Sequence, residues 1–267
     1  MKHLLFASLV VMLVSSGCSE YNKVLKSSDI EYKYEKAVEY FEDEKYYNAL
    51  PIFEELIGLT RGTQRAEKVY YYHAQSNYYI RDYYLANYYL TNFTKNFAYS
   101  PLAEECQFLA AMCSFNLSPE YSLDQTDTKV AINEMQLFLD KYPQTALRDS
   151  CNNMIRGLNS KLELKSYEKA QLYEKTQYYK SAVIALENAI QDYPTSPYKE
   201  EMYFLMVRAS YKFAERSVDE VKLERFNDCI EHYYKFVASY PDSDKLKTAE
   251  FYFEESRKEI DRLNEKL

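Results

Sequence analysis

Apolar positions fall into two regimes along this chain. Leu4 to Val14 is a nearly continuous apolar run, and no later stretch matches it. Beyond it, small and large apolar residues recur at helical spacing. The clearest segment places Ala170 three residues before Tyr173, Ala182 twelve after Ala170, then Leu186, Ala189 and finally Asp192-Tyr193-Pro194. Small residues let two helices cross closely, the large residue four positions on fills the gap, and proline stops the second helix. Glycines, prolines and β-branched clusters are sparse, so the pattern predicts an all-α chain built from helix pairs.

The pattern repeats. Ala37, Tyr40, Ala49, Phe53 and Leu56 hold the same offsets in a first copy, and Ala74, Asn77, Ala86, Leu90 and Phe93 in a second, whose proline arrives late at Pro101. Ala131, Met135, Phe138 and Pro143 form half of a third copy; Cys229, Tyr233, Phe236 and Pro241 form half of a fifth. In these two copies the first-helix small residue, Ala111 or Ala209, stands twenty before its partner rather than twelve. This predicts extra residues between helices around Ser118–Asp127 and Glu215–Leu223. Three copies end alike, at Tyr142-Pro143-Gln144-Thr145, Tyr193-Pro194-Thr195-Ser196 and Tyr240-Pro241-Asp242-Ser243, where the hydroxyl residue can cap the next helix. Between Thr145 and Lys175 the only breaker is Gly157, which predicts one long helix bridging copies three and four. This organisation resembles the tetratricopeptide repeat, an antiparallel helix pair of about 34 residues. The expected division is a signal peptide over 1–17, a lipidated N-terminus and tether over 18–28, repeats one to three over 29–143, and the bridging helix with repeats four and five over 144–267. Ser28 and Glu31 are the expected capping box of the first helix.

The front of the chain has its own chemistry. An apolar core of this length is too short to span a bilayer but suits a cleavable export signal. It is followed by Ser15-Ser16-Gly17-Cys18, which resembles a lipobox, although Ser15 stands where leucine is usual. That resemblance makes Cys18 the lipid-attachment residue. Export permits disulfides, yet Cys106 and Cys113, seven apart on one expected helix, would lie about 10 Å apart, beyond bridging distance. They, Cys151 and Cys229 read as buried small hydrophobes.

Charge and composition narrow the rest. The full sequence carries −8, and loss of residues 1–17 removes the cation of Lys2, so the mature chain is more acidic still and does not condense on nucleic acid or an anionic headgroup surface by bulk electrostatics. Only 4 glycines are present, too few and too scattered for a phosphate loop. His73 and His232 have no ligand-spaced neighbours, so neither metal nor cofactor is expected. There is no nucleophile elbow, and Glu54-Glu55, Glu104-Glu105 and Glu254-Glu255 are adjacent on helices, diverge, and read as solvated faces. The expectation is a protein that is not an enzyme. With 30 tyrosines and no tryptophan, tyrosine pairs recur, at 46–47, 71–72, 78–79, 83–84, 88–89, 178–179 and 233–234. One member of each should pack between helices while the other is wet.

A lipoprotein signal followed at once by five such repeats, with extra residues in repeats three and five and a long bridging helix, resembles the BamD family over essentially the whole chain. The resemblance implies a non-enzymatic lipoprotein scaffold of β-barrel assembly on the periplasmic face of the outer membrane. Its implied partners are a BamA-like barrel protein, other lipoproteins of that machinery and unfolded barrel precursors, with the membrane engaged through the N-terminal lipid. Family inner-face positions, carried through the Ala37 and Ala74 registers, become Tyr34, Val38 and Phe41, and Tyr71, Gln75 and Tyr78, a candidate groove for a partner peptide. Other repeat-bearing envelope scaffolds share the architecture. A SusD-like glycan-binding lipoprotein is the alternative from another class, but such proteins are about twice as long, and the absent tryptophan removes the strongest sugar-stacking side chain.

Overall fold

The computed structural model describes residues 20–265; Cys18 and the signal segment lie outside them. The helices are α1 (20–26), α2 (Ile30–Glu42), α3 (Tyr46–Leu59), α4 (Ala66–Tyr79), α5 (Tyr83–Asn96), α6 (Ala103–Leu117), α7 (Thr126–Lys141), α8 (Arg148–Lys175), α9 (Tyr179–Asp192), α10 (Lys199–Glu215), α11 (Asp219–Ser239) and α12 (Leu246–Asn264). No strand occurs among the described residues. The paired helices are α2/α3, α4/α5, α6/α7, α8/α9 and α10/α11. The small residues assigned to their crossings are all buried: Ala37, Ala49, Ala74, Ala86, Ala111, Ala131, Ala170, Ala182, Ala209 and Cys229. Cys229 therefore fills an alanine slot. The thiols of Cys106, Cys113, Cys151 and Cys229 are free and buried.

The described residues divide into two compact units, the first holding those up to Pro119 and 124–158, the second 120–123 and those from Asn159 on. In the first, Ala37, Ala49, Ile52, Phe53, Leu56 and Val69 form one cluster, and Ala74, Ala86, Leu90, Phe93, Cys106 and Cys113 the next. In the second, Ala170, Leu186, Met202 and Leu205 form one cluster, and Val207, Phe226, Cys229, Phe236 and Ala249 another. Helix α8 is the long bridging helix expected from the missing breakers; it runs 28 residues and contributes to both units.

Two turn designs recur. Within repeats one, two and four the first helix ends at a residue of positive φ: Glu44 (59°), Arg81 (66°) and Gln177 (66°). Each time the next amide reaches back five residues, Lys45 to Tyr40, Asp82 to Asn77 and Tyr178 to Tyr173, and the positive-φ amide reaches back three. This is a Schellman closure, normally given to glycine because other side chains crowd the left-handed region. Between repeats, the hydroxyl of Thr145, Ser196 or Ser243 accepts from the amide two residues on, as the Tyr-Pro-x-Ser/Thr phrase implied. The same turn is made at Thr63 and Ser100, where that phrase is absent. The Ser100 and Ser243 hydroxyls also donate to Glu67 and Glu200 in the preceding first helix, each at 2.6 Å.

Three expectations change. The N-cap of α2 is Asp29 rather than Ser28, because one Asp29 carboxylate oxygen accepts from the amides of both Glu31 and Tyr32. Residues 20–26, expected within a polar tether, are helical and docked, with Val24 fully buried beside Ala37 and Ala49. The extra residues of repeat three do form a loop, since Pro119 cannot prolong α6, but those of repeat five largely lengthen α11 to 21 residues. No proline or glycine interrupts that stretch, and Asp219 and Glu220 in its first turn complement the helix dipole.

Candidate partner-binding surface

The six groove candidates sit on α2 and α4, and none is freely exposed. Tyr34, Val38 and Phe41 pack as half-buried residues on the first-repeat core. Phe41 is the hub: its ring meets Tyr46 at 5.3 Å, Tyr72 at 5.0 Å and Tyr79 at 5.9 Å in edge-on contacts. Tyr72 stacks on Phe53 and touches Tyr71, whose ring faces Phe93. The two trios are thus linked by rings into one seam across the first repeats, where edge contacts of this kind add specificity to apolar burial. Tyr34 lies under the Arg65 guanidinium at 4.3 Å, which in turn pairs with Glu31 at 2.8 Å.

At the other end of the seam the polar groups are already engaged. Gln75 is buried, and its amide nitrogen donates to the Tyr71 hydroxyl at 2.6 Å and to Glu105 Oε1 at 2.8 Å. Tyr71 donates to Glu105 Oε2 at 2.9 Å. Burial, with the Glu105 carboxylate second, pushes the Tyr71 phenol well above its ordinary value. Both N–H groups of Gln75 are therefore spent inside the protein, and a peptide backbone could reach only its carbonyl oxygen. Glu105 and Glu55 remain exposed, yet each also accepts from another helix, Glu105 from Tyr71 and Gln75, Glu55 from Lys33. The sequence held one signal for the contact with Glu105: Tyr71 and Glu105 stand 34 residues apart, one repeat length. Glu174 and Arg208 are separated likewise and form a two-point ion pair at 2.9 and 3.0 Å.

Six of the seven tyrosine pairs divide as expected. Tyr47, Tyr79, Tyr84, Tyr88, Tyr178 and Tyr234 are exposed while their neighbours are half buried. The exception, Tyr71-Tyr72, is half buried at both positions, because both rings belong to the seam.

The second unit holds a cavity of about 310 Å³ lined by α9, α10 and α11. On its wall Ser210 Oγ lies 2.6 Å from His232 Nδ1, and His232 Nε2 lies 3.3 Å from Glu187. Burial holds the His232 pKa below its ordinary value against the opposing pull of Glu187. This line has the composition of a hydrolytic triad but not its form. Ser210 is buried in the middle of α10, with its backbone committed to the helix, whereas a nucleophile needs an exposed turn and free oxyanion donors. Lys180, Arg225 and Lys235 around the cavity face Glu187, Asp228 and Glu231, so its rim has no dominant sign. Among the described residues no cluster of three or more histidine, cysteine or carboxylate side chains could hold a metal, and no helix is long and apolar enough to cross a membrane.

Successive packed helix pairs with half-buried aromatic seams define a helical-repeat protein. The chain belongs to the YfiO family of outer membrane lipoproteins, whose family model matches residues 27–225. It is also similar to a protein of Aquifex aeolicus (strain VF5) provisionally named outer membrane protein assembly factor BamD, at 25% identity over 227 residues, covering 83% of this chain and 72% of the relative.

Proposed function

We propose that this chain is a non-enzymatic scaffold of the machinery that assembles β-barrel proteins in the outer membrane, held on the periplasmic face by lipid on Cys18. The observation that carries the reading is the family match across residues 27–225, on a chain whose helix pairs account for that whole length. The similarity to a protein named as an assembly factor supports the same process. Its partners are a BamA-like barrel protein, bound towards repeats four and five, other lipoproteins of the machinery, and unfolded barrel precursors. The aromatic seam of Tyr34, Val38, Phe41, Tyr71, Gln75 and Tyr78 receives the aromatic C-terminal segment of a precursor, with exposed Tyr79 at its edge.

A photo-reactive residue at Phe251, exposed in the second unit, should capture a large outer-membrane barrel protein from whole envelopes; one at Tyr79 should capture precursors. Identification of the adducts by mass spectrometry checks both. Capture of glycan-utilisation proteins alone would overturn the assembly reading. For the seam, Tyr71→Ala with Tyr78→Ala should weaken binding of a peptide copied from a barrel protein's C-terminus, aromatic anchors being worth on the order of 2 kcal/mol each. Equal affinity in a variant that remains folded would remove the groove.

A further inference from the structure

Helix α1 has two faces. Tyr21, Val24 and Leu25 turn inward onto the first-repeat core, while Asn22, Lys23 and Lys26 turn outward. Residues three apart share one side of a helix, so Lys23 and Lys26 form one exposed stripe, headed by Glu20, whose carboxylate is turned to Lys36. The acidic neighbours make their direct contacts elsewhere, although Glu20 still feels the charge of Lys23. Glu20 pairs with Lys36 at 2.9 Å, Glu31 pairs with Arg65 at 2.8 Å, and Asp29 caps α2. Among the described residues neither Lys23 nor Lys26 forms an ion pair, on a chain whose overall charge is −8.

The helix is fastened as well as packed. Lys33, buried in α2, donates to the carbonyl of Leu25 at 3.0 Å and to Glu55 of α3 at 2.6 Å. One ammonium thus joins the end of α1 to both helices of the first repeat. Only Ser19 stands between Cys18 and Glu20 in the sequence, so the described helix follows the expected anchor almost at once.

From these contacts we infer that α1 is a membrane-apposed clamp, holding the first repeat against the bilayer and placing Lys23 and Lys26 on the phosphates of anionic lipids. The inference rests on the reading of Cys18 as acylated. The occupant is a lipid surface because the helix that carries the stripe begins two positions after the anchor and Lys23 follows within its first turn, so the stripe meets headgroups before any other partner. The remaining acidity of the chain turns the rest of the protein away from that surface, which gives the clamp its orientation.

Amine footprinting of the full-length acylated protein in vesicles tests this. An acetylating reagent is applied in phosphatidylcholine vesicles, in the same vesicles containing phosphatidylglycerol, and in neutral vesicles with added inorganic phosphate. Lys95, exposed in the last turn of α5 in the second repeat, serves as the internal reference. Each lysine near an anionic surface gains enough free energy for about a fivefold slowing of its reaction, and salt should abolish the protection. The expected result is slowing at Lys23 and Lys26 in the anionic vesicles only. Equal rates in anionic and neutral vesicles overturn the clamp, and equal slowing by free phosphate overturns the lipid as occupant. Intact mass reports acylation of Cys18 separately, so loss of the anchor reading is distinguishable from loss of the clamp.

Discussion

Lys33 is 2% exposed, yet its ammonium meets the Glu55 carboxylate at 2.6 Å, while Glu55 itself remains open to solvent at 46%. The pair is asymmetric: one ion has been taken out of water and the other has not. Removing the carboxylate strands a buried cation, and removing the cation leaves a carboxylate that water can solvate.

The two substitutions should therefore differ in cost. Glu55→Ala should destabilise by about 2–4 kcal/mol, as for a buried charge that loses its partner. Lys33→Met keeps the packing and should cost about 1 kcal/mol, the worth of the lost hydrogen bonds. Urea unfolding of both variants checks the order; a reversed order would mean that Lys33 relies on the Leu25 carbonyl more than on Glu55.

Ala182 is completely buried at the crossing of α8 and α9. Ala182→Phe should cost about 1–3 kcal/mol or more through overpacking. Cys229→Ala, by contrast, should be tolerated, because Cys229 occupies the equivalent small-residue position. A thermal melt of Ala182→Phe matching wild type would show that the helices can separate there without penalty.

Arg81 holds φ at 66° in an exposed turn. Arg81→Gly relieves left-handed strain of about 1 kcal/mol or more, partly offset by the entropy of glycine in the unfolded chain. The net expectation is a gain of roughly 0.5 kcal/mol. Lower stability in chemical denaturation would indicate that the arginine side chain contributes more than its backbone costs.

His73 is buried edge-on against Tyr89 with Nδ1 unpartnered, and desolvation lowers its pKa from 6.5 to about 4. The unfolded chain takes up a proton below 6.5 while the folded one does not until about 4, so stability is full above 6.5 and falls as pH drops through that window. The loss is of the order of 2–3 kcal/mol. His73→Phe should flatten that slope without a large cost at neutral pH, because it replaces an unsatisfied polar atom with carbon. Stability measured from pH 7 to 4 decides, and an unchanged slope would assign the acid sensitivity to other groups, His232 first among them.

Burial pushes the thiols of Cys106 and Cys113 up to about 12 and that of Cys229 up to about 11. In the native state all three should resist alkylation at pH 8, and should react after addition of denaturant. Rapid modification of the native protein would show that the clusters open locally.

The sequence determined the helix pairs by itself, because crossing distance is set by residue size: a slot that admits only alanine or cysteine must be filled at fixed offsets, and those offsets are visible without coordinates. The length of α8 was legible for a similar reason, since a helix continues where nothing breaks it. The turns were half legible. Tyr-Pro-x-Ser/Thr announced three of them, but Thr63 and Ser100 make the same hydroxyl contact without the phrase, because any backbone that closes there can use the hydroxyl. Tertiary structure alone decided which polar side chains were free. Glu105 and Glu55 look like unengaged surface carboxylates in sequence, and Gln75 like an available amide. Each is engaged from another helix, Glu105 by Gln75 and Tyr71, Gln75 by Glu105, and Glu55 by Lys33. The docking of α1 was hidden in the same way. Seven residues carry too little periodicity to announce a helix, and it is the burial of Val24 and the reach of Lys33 that make them one.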